Sequence, residues 1–179
     1  MELWESPISS NTLYEGHIVR LRLDKVRLIN GRSASREVVE HPGAAAVVTL
    51  DDQGNTTLVR QFRYPVRRAL WEIPAGKLGP GEKPLDCAQR ELYEETGFQA
   101  GKWEPLGTFY TSPGFCNEMI YLYWARDLSL GTPRRSSEEI MEISQVPLSQ
   151  TLQMIKNGDI VDAKTIIGCL MALRVCGFR

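Results

Sequence analysis

The sequence predicts an α/β domain preceded by a small antiparallel β-sheet. The run Ala44–Leu50 is almost entirely apolar, as expected of a strand covered on both faces. Leu85, Ala88 and Leu92 recur at helical spacing and mark the buried stripe of a helix. Residues 13–28 alternate apolar and polar for part of their length, which is typical of a half-buried strand.

Composition places the chain among ordinary globular proteins. Its 179 residues fit one domain with a substantial core, and 42% of them are hydrophobic and 24% charged. The net charge of −1 gives no basic footprint for nucleic acid or an anionic membrane. No apolar run approaches the roughly 20 residues of a membrane span, and the first residues do not resemble a signal peptide. A cytoplasmic protein is expected.

The cysteines and histidines predict no metal site of the zinc type. The two histidines, His17 and His41, are far apart, and the cysteines match no zinc spacing. We therefore expect reduced core thiols. The cysteines in question are Cys87, Cys116, Cys169 and Cys176.

The first 41 residues are expected to form a separate β-sheet region. Residues 4–40 have the pattern of short strands, Asn30-Gly31 is a turn signal, and residues 36–41 resume as a strand. A sheet of about 40 residues is marginal by itself. We expect it to pack on the main domain of residues 42–179, on a second copy of the chain, or on both.

The main domain is predicted to contain both strands and helices after a break at Pro42-Gly43. Residues 70–75 are expected to form one strand that runs straight into a glycine-rich loop, and residues 129–138 a mobile loop. Asp162 is expected to cap a last helix that is apolar nearly all round and therefore well buried. The other strands are predicted at 57–64, 103–110, 119–125 and 140–146, and the other helices at 84–96, 148–156 and 163–175.

The stretch Gly76–Phe98 has the local signals of a loop followed by a short helix. The glycines and proline of residues 76–81 predict a loop. Pro84 suits a first helical turn, and Gly97 a helix stop. Arg90 offsets only part of the negative charge that the helix carries.

Three carboxylates cluster on this helix. Glu91 and Glu95 stand one above the other, and Glu94 lies about 60° further round. Carboxylates at this spacing repel each other by a few tenths of a kcal/mol. A divalent cation such as Mg²⁺ or Mn²⁺ would turn that repulsion into attraction and would bind phosphate oxygens. The alternative is a solvated acidic face, which is the usual meaning of a charge run.

The spacing of the same stretch resembles the signature of the Nudix hydrolases, with all its defined positions filled. That resemblance implies an α/β/α sandwich with a mixed sheet and metal-dependent cleavage of a nucleoside diphosphate linked to another moiety. The pattern is Gly76, five residues, Glu82, seven residues, Arg90-Glu91-Leu92, one residue, Glu94-Glu95, one residue, Gly97-Phe98.

Further segments resemble the ADP-ribose pyrophosphatases of that family. These are REVVEHPGA, VRQFRYPV, LWEIPAGKL, TSPGFCNE and DAKTI, together with Pro113, which lies 16 positions after Gly97. The resemblance implies hydrolysis of ADP-ribose to AMP and ribose 5-phosphate. Relatives that cleave other nucleotide sugars, such as GDP-mannose, share much of the pattern. A third possibility is an ADP-ribose sensor without catalysis, although such proteins usually lose signature carboxylates.

The resemblance also implies a metal site and its neighbours. Glu91, Glu95 and the backbone carbonyl of Ala75 match the ligands of two or three Mg²⁺ ions, with Mn²⁺ as a substitute, and Glu94 would hold a metal-bound water. Arg90 is expected to orient the carboxylates by charge-assisted hydrogen bonds, as a member of the catalytic set. Glu82 is expected to brace the loop.

The general base is predicted on the later loop. Glu138 and Glu139 of SSEEI occupy the region of the family's loop glutamate, and Glu138 aligns better relative to Ile140. Some relatives carry a second acidic residue where this chain has Ser136, so the choice of base stays open.

The substrate site is predicted from both regions. Arg63 is expected to bind a phosphate, with an exposed strand charge as the alternative. Arg20 and Arg22, or Trp4, are candidates for contact with adenine. The resemblance also implies a homodimer whose two copies are joined through their N-terminal strands, and a homodimer is expected here. The remaining predicted substrate contacts are Glu72, Gly76, Pro113, Gly114 and Glu118, the last of which has a structural role as its alternative.

Overall fold

The computed structural model describes residues 3–131 and 140–177. The chain divides into two compact units, Met1–Gly43 with Tyr110–Met119 and Ala44–Phe109 with Ile120–Arg179. The elements in chain order are β1 (Ser6–Glu15), β2 (Arg20–Arg27), β3 (Ser33–Glu40), β4 (Ala44–Leu50), β5 (Asn55–Arg63), a 3₁₀ turn (Tyr64–Val66), β6 (Arg68–Glu72), β7 (Ala75–Lys77), α1 (Pro84–Thr96), β8 (Phe98–Tyr110), β9 (Met119–Leu130), β10 (Met141–Pro147), α2 (Gln150–Asn157) and α3 (Ala163–Val175).

The first unit contains the expected antiparallel sheet, in the order β1-β2-β3. The turn at Asn30-Gly31 is confirmed, since Gly31 has a φ of 80° and donates its N–H to the carbonyl of Leu28 at 2.9 Å. The prediction of one strand pattern over residues 13–28 was wrong. A turn closed by the Gly16 N–H and the Val19 carbonyl, 3.0 Å apart, divides that segment between β1 and β2.

The second unit has the predicted mixed sheet, in the order β7-β4-β9-β8. Strand β4 runs parallel to β9 and antiparallel to β7. A separate antiparallel sheet has the order β10-β5-β6. Since successive side chains of a strand point to opposite faces, a central strand such as β4 can bury both of its faces.

Strand β4 separates two hydrophobic clusters, which makes the α/β/α arrangement. Ala45 and Val47 belong to the cluster that contains the buried residues of α1, whereas Ala44, Ala46 and Val48 belong to the cluster that contains those of α3. Six of the seven residues of β4 are buried, as the apolar run predicted. The helical members of these clusters are Cys87, Ala88 and Leu92 of α1, and Cys169, Ala172 and Leu173 of α3.

Two predictions about the chain before α1 were wrong. Residues 70–75 do not form one strand, because the chain leaves the β5–β6 pairing after Glu72 and joins β4 at Ala75. Pro74 marks the break, having no N–H for either sheet, while its carbonyl accepts from the Val47 N–H at 2.9 Å. Gly76 is not in the loop but in β7, where its backbone pairs with Ala45.

Helix α1 has the predicted bounds. Pro84 is its first residue, and Gly97 ends it in the left-handed region with a φ of 79°. The N–H of Gly97 donates to the carbonyl of Tyr93 at 2.9 Å, which satisfies one of the last carbonyls of the helix.

The last helix begins as predicted but is less buried than predicted. The Asp162 carboxylate accepts from the Thr165 N–H at 3.0 Å and caps α3. Leu170 and Val175 are exposed, because the helix buries only the face that carries its members of the core cluster.

Other boundaries shift by a few residues. Strand β8 begins at Phe98 rather than at 103, and β9 continues to Leu130, which is inside the predicted loop of 129–138. Residues 132–138 of that loop lie outside the described residues. Among the helices of residues 3–131 and 140–177, none is long and apolar enough to cross a membrane.

Candidate active site

The loop before α1 is tied to the helix by Glu82 and Arg90. Arg90 donates from Nε and Nη2 to the two carboxylate oxygens of Glu82, at 2.8 and 3.0 Å. The Gly79 N–H donates to the same carboxylate at 2.8 Å, and Arg90 Nη2 also reaches the carbonyl of Lys77 at 3.2 Å. These hydrogen bonds, with that from Arg90 the strongest, lower the pKa of Glu82 to about 2. The geometry is that of a brace between loop and helix.

The same guanidinium contacts two of the clustered carboxylates. Arg90 Nη1 donates to Glu91 Oε1 at 2.6 Å and to Glu94 Oε2 at 3.1 Å. Its hydrogen bonds to Glu82, Glu91 and Glu94 raise the pKa of Arg90 above its ordinary value. One positive charge among these carboxylates leaves the surface of α1 acidic.

Glu91 and Glu95 lie against the backbone of β7. Glu95 is buried, and its Oε2 accepts from the Ala75 N–H at 3.2 Å. A Cβ atom added to Gly76 would come within 1.9 Å of the Glu91 carboxyl carbon. The break at Pro74 therefore has a consequence for the site, because the short strand that follows it brings residues 75 and 76 to these two carboxylates.

The predicted ligands of α1 and β7 suit a divalent cation by their chemical type. The carboxylates of Glu91, Glu94 and Glu95 and a backbone carbonyl at Ala75 are hard oxygen ligands of the kind that Mg²⁺ and Mn²⁺ prefer. Within residues 3–131 and 140–177, no three His, Cys, Asp or Glu side chains converge as a ready-made metal site. Arg90 contacts Glu91 and Glu94 together, so we expect these carboxylates to reorient when they bind an ion.

A second charged cluster surrounds Glu72. Arg63 donates from Nε and Nη2 to the two carboxylate oxygens of Glu72, each at 2.7 Å. Lys164 Nζ forms an ion pair with the same carboxylate and lies 3.0 Å from Asp162 Oδ2. Burial raises the pKa of Glu72, but hydrogen bonds from Arg63 and the charge of Lys164 outweigh it, so the pKa lies below its usual value.

Arg63 is also within electrostatic reach of the acidic surface of α1. Its pKa is raised chiefly by the hydrogen bonds to Glu72, and the negative charge of Glu95 contributes. Arg63, the predicted phosphate ligand, and Glu95, a predicted metal ligand, therefore interact electrostatically within the second unit. The roles assigned to Arg63 and Glu72 stay predictions. In this structure Arg63 binds a carboxylate, and Glu72 is almost fully buried beneath it.

The two arginines of β2 that were predicted to contact adenine lie in the first unit and bind other side chains of that unit. Arg20 donates from Nη2 to Thr12 Oγ1 at 2.6 Å, and Arg22 Nη1 lies 3.0 Å from Glu40. Trp4 is exposed. Their contact with adenine stays a prediction.

The remaining predicted contacts of the first unit lie in the segment before β9. Pro113 and Gly114 belong to a turn in which the Cys116 N–H donates to the Ser112 carbonyl at 2.8 Å. Glu118 accepts from the Thr111 hydroxyl at 2.8 Å and lies 3.4 Å from His41 Nδ1. These contacts give Glu118 a structural role beside the predicted one.

Two residues beside Glu72, namely Asp162 and Lys164, were not predicted to belong to the site. The sequence predicts Asp162 only as a helix cap, and it predicts no separate role for Lys164 within the DAKTI segment. No local pattern could have linked Lys164 to Glu72, which is 92 positions away. Glu138 and Glu139, the candidates for the general base, are outside the described residues.

Comparisons with known proteins identify the family. A model of the NUDIX domain matches residues 40–167, and a model of the nucleoside diphosphate sugar hydrolase N-terminal domain matches residues 5–39. A solved structure described as an ADP compounds hydrolase superposes with a TM-score of 0.87 and covers 100% of both chains. Its sequence identity is 19%, so this likeness concerns the fold.

Several curated proteins resemble the chain over most of its length. The ADP-ribose pyrophosphatase of Bacillus subtilis is 41% identical over 165 residues, which are 91% of this chain and 89% of that protein. The ADP-ribose pyrophosphatase of Mycobacterium tuberculosis is 43% identical over 166 residues, with coverage of 91% and 80%. A methanol dehydrogenase activator of Bacillus methanolicus is 41% identical with coverage of 91% and 89%. The predicted resemblance is thereby confirmed, and the chain belongs to the Nudix family.

Proposed function

We propose that this protein hydrolyses the pyrophosphate bond of ADP-ribose, with Mg²⁺, to AMP and ribose 5-phosphate. Water adds across one P–O–P bond, so that each product keeps one phosphate. The observation that carries the proposal is the placement of Glu91 and Glu95 against the backbone of residues 75–76. The two ADP-ribose pyrophosphatases that are 41% and 43% identical support the choice of substrate.

The proposed metal ligands belong to α1 and to the first residue of β7. Nudix hydrolases generally need a divalent cation. We assign Glu91, Glu95, Glu94 and the carbonyl of Ala75 to hold it. When bound, it would supply positive charge to the diphosphate, which is where most of the catalytic stabilisation of such a reaction is needed.

The other proposed roles belong to the remaining predicted site residues. Arg63 binds a phosphate through the part of its guanidinium that faces solvent, and Glu72 holds it from beneath. Arg90 orients Glu91 and Glu94 by charge-assisted hydrogen bonds. Glu138 is proposed as the general base, with Glu139 as the alternative. Gly76, Pro113, Gly114 and Glu118 are each proposed to contact the substrate.

Incubation of the purified protein with ADP-ribose tests the proposal. We expect AMP and ribose 5-phosphate in equal amounts when Mg²⁺ is present, because the cation neutralises the diphosphate. EDTA should abolish the release, and added Mn²⁺ should restore it. Chromatography of the nucleotides measures both. If AMP appears at the same rate with and without metal, or not at all, the proposal is wrong.

A second candidate is a hydrolase of another nucleotide sugar, such as GDP-mannose. It is favoured by the match of residues 5–39 to a nucleoside diphosphate sugar hydrolase domain, a description that names no particular sugar. Ranking a panel of nucleotide sugars by kcat/KM separates the candidates. A higher kcat/KM for GDP-mannose than for ADP-ribose would favour the second. An ADP-ribose sensor would bind the nucleotide without turnover.

We further propose a cytoplasmic homodimer in which residues 1–41 supply both a dimer contact and, through Arg20, Arg22 or Trp4, a contact with adenine. Every residue of β1 is exposed, including Leu13 at 54% and Tyr14 at 59%. An exposed strand with apolar side chains favours pairing with another chain. Light scattering should give twice the mass of one chain, and a monomer mass would refute the dimer.

A further inference from the structure

We propose that Lys164 is a positioning residue for phosphate binding. It holds the carboxylate of Glu72, and Glu72 in turn holds the guanidinium of Arg63. The inference rests on the proposed function, in which Arg63 binds a phosphate of the substrate. Lys164 has no other assigned role.

The contacts form one chain from α3 to β5. Asp162 Oδ2 lies 3.0 Å from Lys164 Nζ, and that ammonium is paired with Glu72 Oε2. Glu72 Oε2 also accepts from Arg63 Nη2 at 2.7 Å, while Oε1 accepts from Nε at the same distance. One carboxylate oxygen is thus held from two sides. Arg63 and Lys164 together restrict the orientation of Glu72.

Arg63 is the most exposed of the four side chains. The side chain of Arg63 is 41% exposed, whereas those of Asp162, Lys164 and Glu72 are 19%, 12% and 2% exposed. A buried charge is costly unless its partners surround it. Glu72, Lys164 and Asp162 therefore compensate one another's charge. Arg63 is the one of the four side chains that an incoming anion can reach.

The formal charges explain why a lysine is needed. With Lys164 in place, the positive charges of Arg63 and Lys164 balance the negative charges of Glu72 and Asp162. Without it, Arg63 would be backed by two carboxylates and the group would be negative. A group with a net negative charge would attract an anionic diphosphate less strongly. The effect is larger in a partly buried site than in water, because the charges are less screened there.

The position of Lys164 in α3 supports the same interpretation. It is the second residue of the helix, where the positive end of the helix dipole disfavours a cation. Asp162 offsets that disadvantage, because its carboxylate caps the helix and contacts Lys164. Asp162 alone would satisfy the helix end, so the capping motif does not account for the lysine, whereas the contact with Glu72 does.

The test combines Lys164→Met with Arg63→Gln in the full-length protein. For ADP-ribose with Mg²⁺, Lys164→Met should raise KM by about tenfold and change kcat by less than about twofold, because a binding contact weakens. In the Arg63→Gln background the same change should alter kcat/KM by less than about twofold, since its route to the substrate is already lost. Lys156→Met, at an exposed position of α2, controls for the loss of one positive charge.

Two outcomes would overturn the proposal. One is an unchanged KM in Lys164→Met. The other is an equal loss of kcat/KM in the presence and absence of Arg63, which would mean that Lys164 acts by another route. If Lys164→Met does not fold, as judged by circular dichroism, Lys164→Ala carries the same test, because it also removes both the donor and the charge that hold Glu72.

A measurement without substrate separates this proposal from the proposed function. The hydrogen-exchange rate of the Arg63 Nε–H, followed by NMR, should rise by about tenfold in Lys164→Met, because Glu72 is then less restricted. An unchanged rate overturns the positioning role whatever the substrate is. Absence of wild-type turnover with a faster exchange rate would instead reject ADP-ribose as the substrate and leave the positioning role supported.

Discussion

Glu95→Gln is expected to lower kcat for ADP-ribose by about 10³-fold while the protein remains folded. The change removes one negative charge from the proposed metal ligands. The glutamine has nearly the same shape, and its carbonyl oxygen can still accept from the Ala75 N–H, which Glu95 contacts at 3.2 Å. The decrease in kcat therefore reports the loss of the carboxylate charge and not a change in packing. Steady-state kinetics at saturating Mg²⁺ measure it.

The affinity for Mn²⁺ provides a second readout of this variant. Electron paramagnetic resonance of added Mn²⁺ should show weaker binding by Glu95→Gln than by the wild type, because a hard anionic ligand has been replaced by a neutral one. Glu104→Gln, an exposed position on β8, is the matched control and should leave both Mn²⁺ affinity and kcat unchanged. Wild-type kcat and Mn²⁺ affinity in Glu95→Gln would remove Glu95 from the site.

Gly76→Ala is expected to lower kcat/KM by about 10²-fold, with little effect on the fold. A Cβ atom at this position would lie 1.9 Å from both the carboxyl carbon and Oε1 of Glu91. Atoms cannot approach so closely, so the end of the Glu91 side chain must move away. Because that end is flexible, the protein can fold, but a proposed metal ligand is displaced from the backbone of β7.

Gly79→Ala is the matched control for this prediction. Gly79 belongs to the loop that follows β7, and a Cβ atom there would meet the nearest atom, Glu82 Oε2, at an ordinary contact distance of 3.4 Å. We expect near wild-type kcat/KM for Gly79→Ala and a melting temperature within a few degrees of wild type for both variants. Equal activities of Gly76→Ala and Gly79→Ala would contradict the close approach of Glu91 to β7.

Local signals in the sequence were sufficient for the helix and its acidic surface. Pro84 and Gly97 mark the ends of α1, because proline suits a first helical turn and glycine accepts the left-handed conformation that ends a helix. The spacing of Glu91, Glu94 and Glu95 follows from the helical repeat alone. The apolar run of β4 likewise predicted a strand buried on both faces.

Predictions were less accurate where the chain changes pairing partners. The segment 70–75 has the composition of one strand, yet β6 pairs with β5 and β7 pairs with β4. Gly76 has a loop former's propensity, but its backbone pairs with Ala45. Pairing partners are set by distant strands, and they override the preference of a short segment.

The family signature, the acidic helix and the positions of most strands could be predicted from the residue order, because each depends on residues that are near one another in the chain. The contact of Glu91 with Gly76, and that of Lys164 with Glu72, 92 positions away, became evident from the folded domain alone. An ion pair between such distant residues has no periodic signal. It exists because the helix after Asp162 and the strand ending at Glu72 meet in the folded domain.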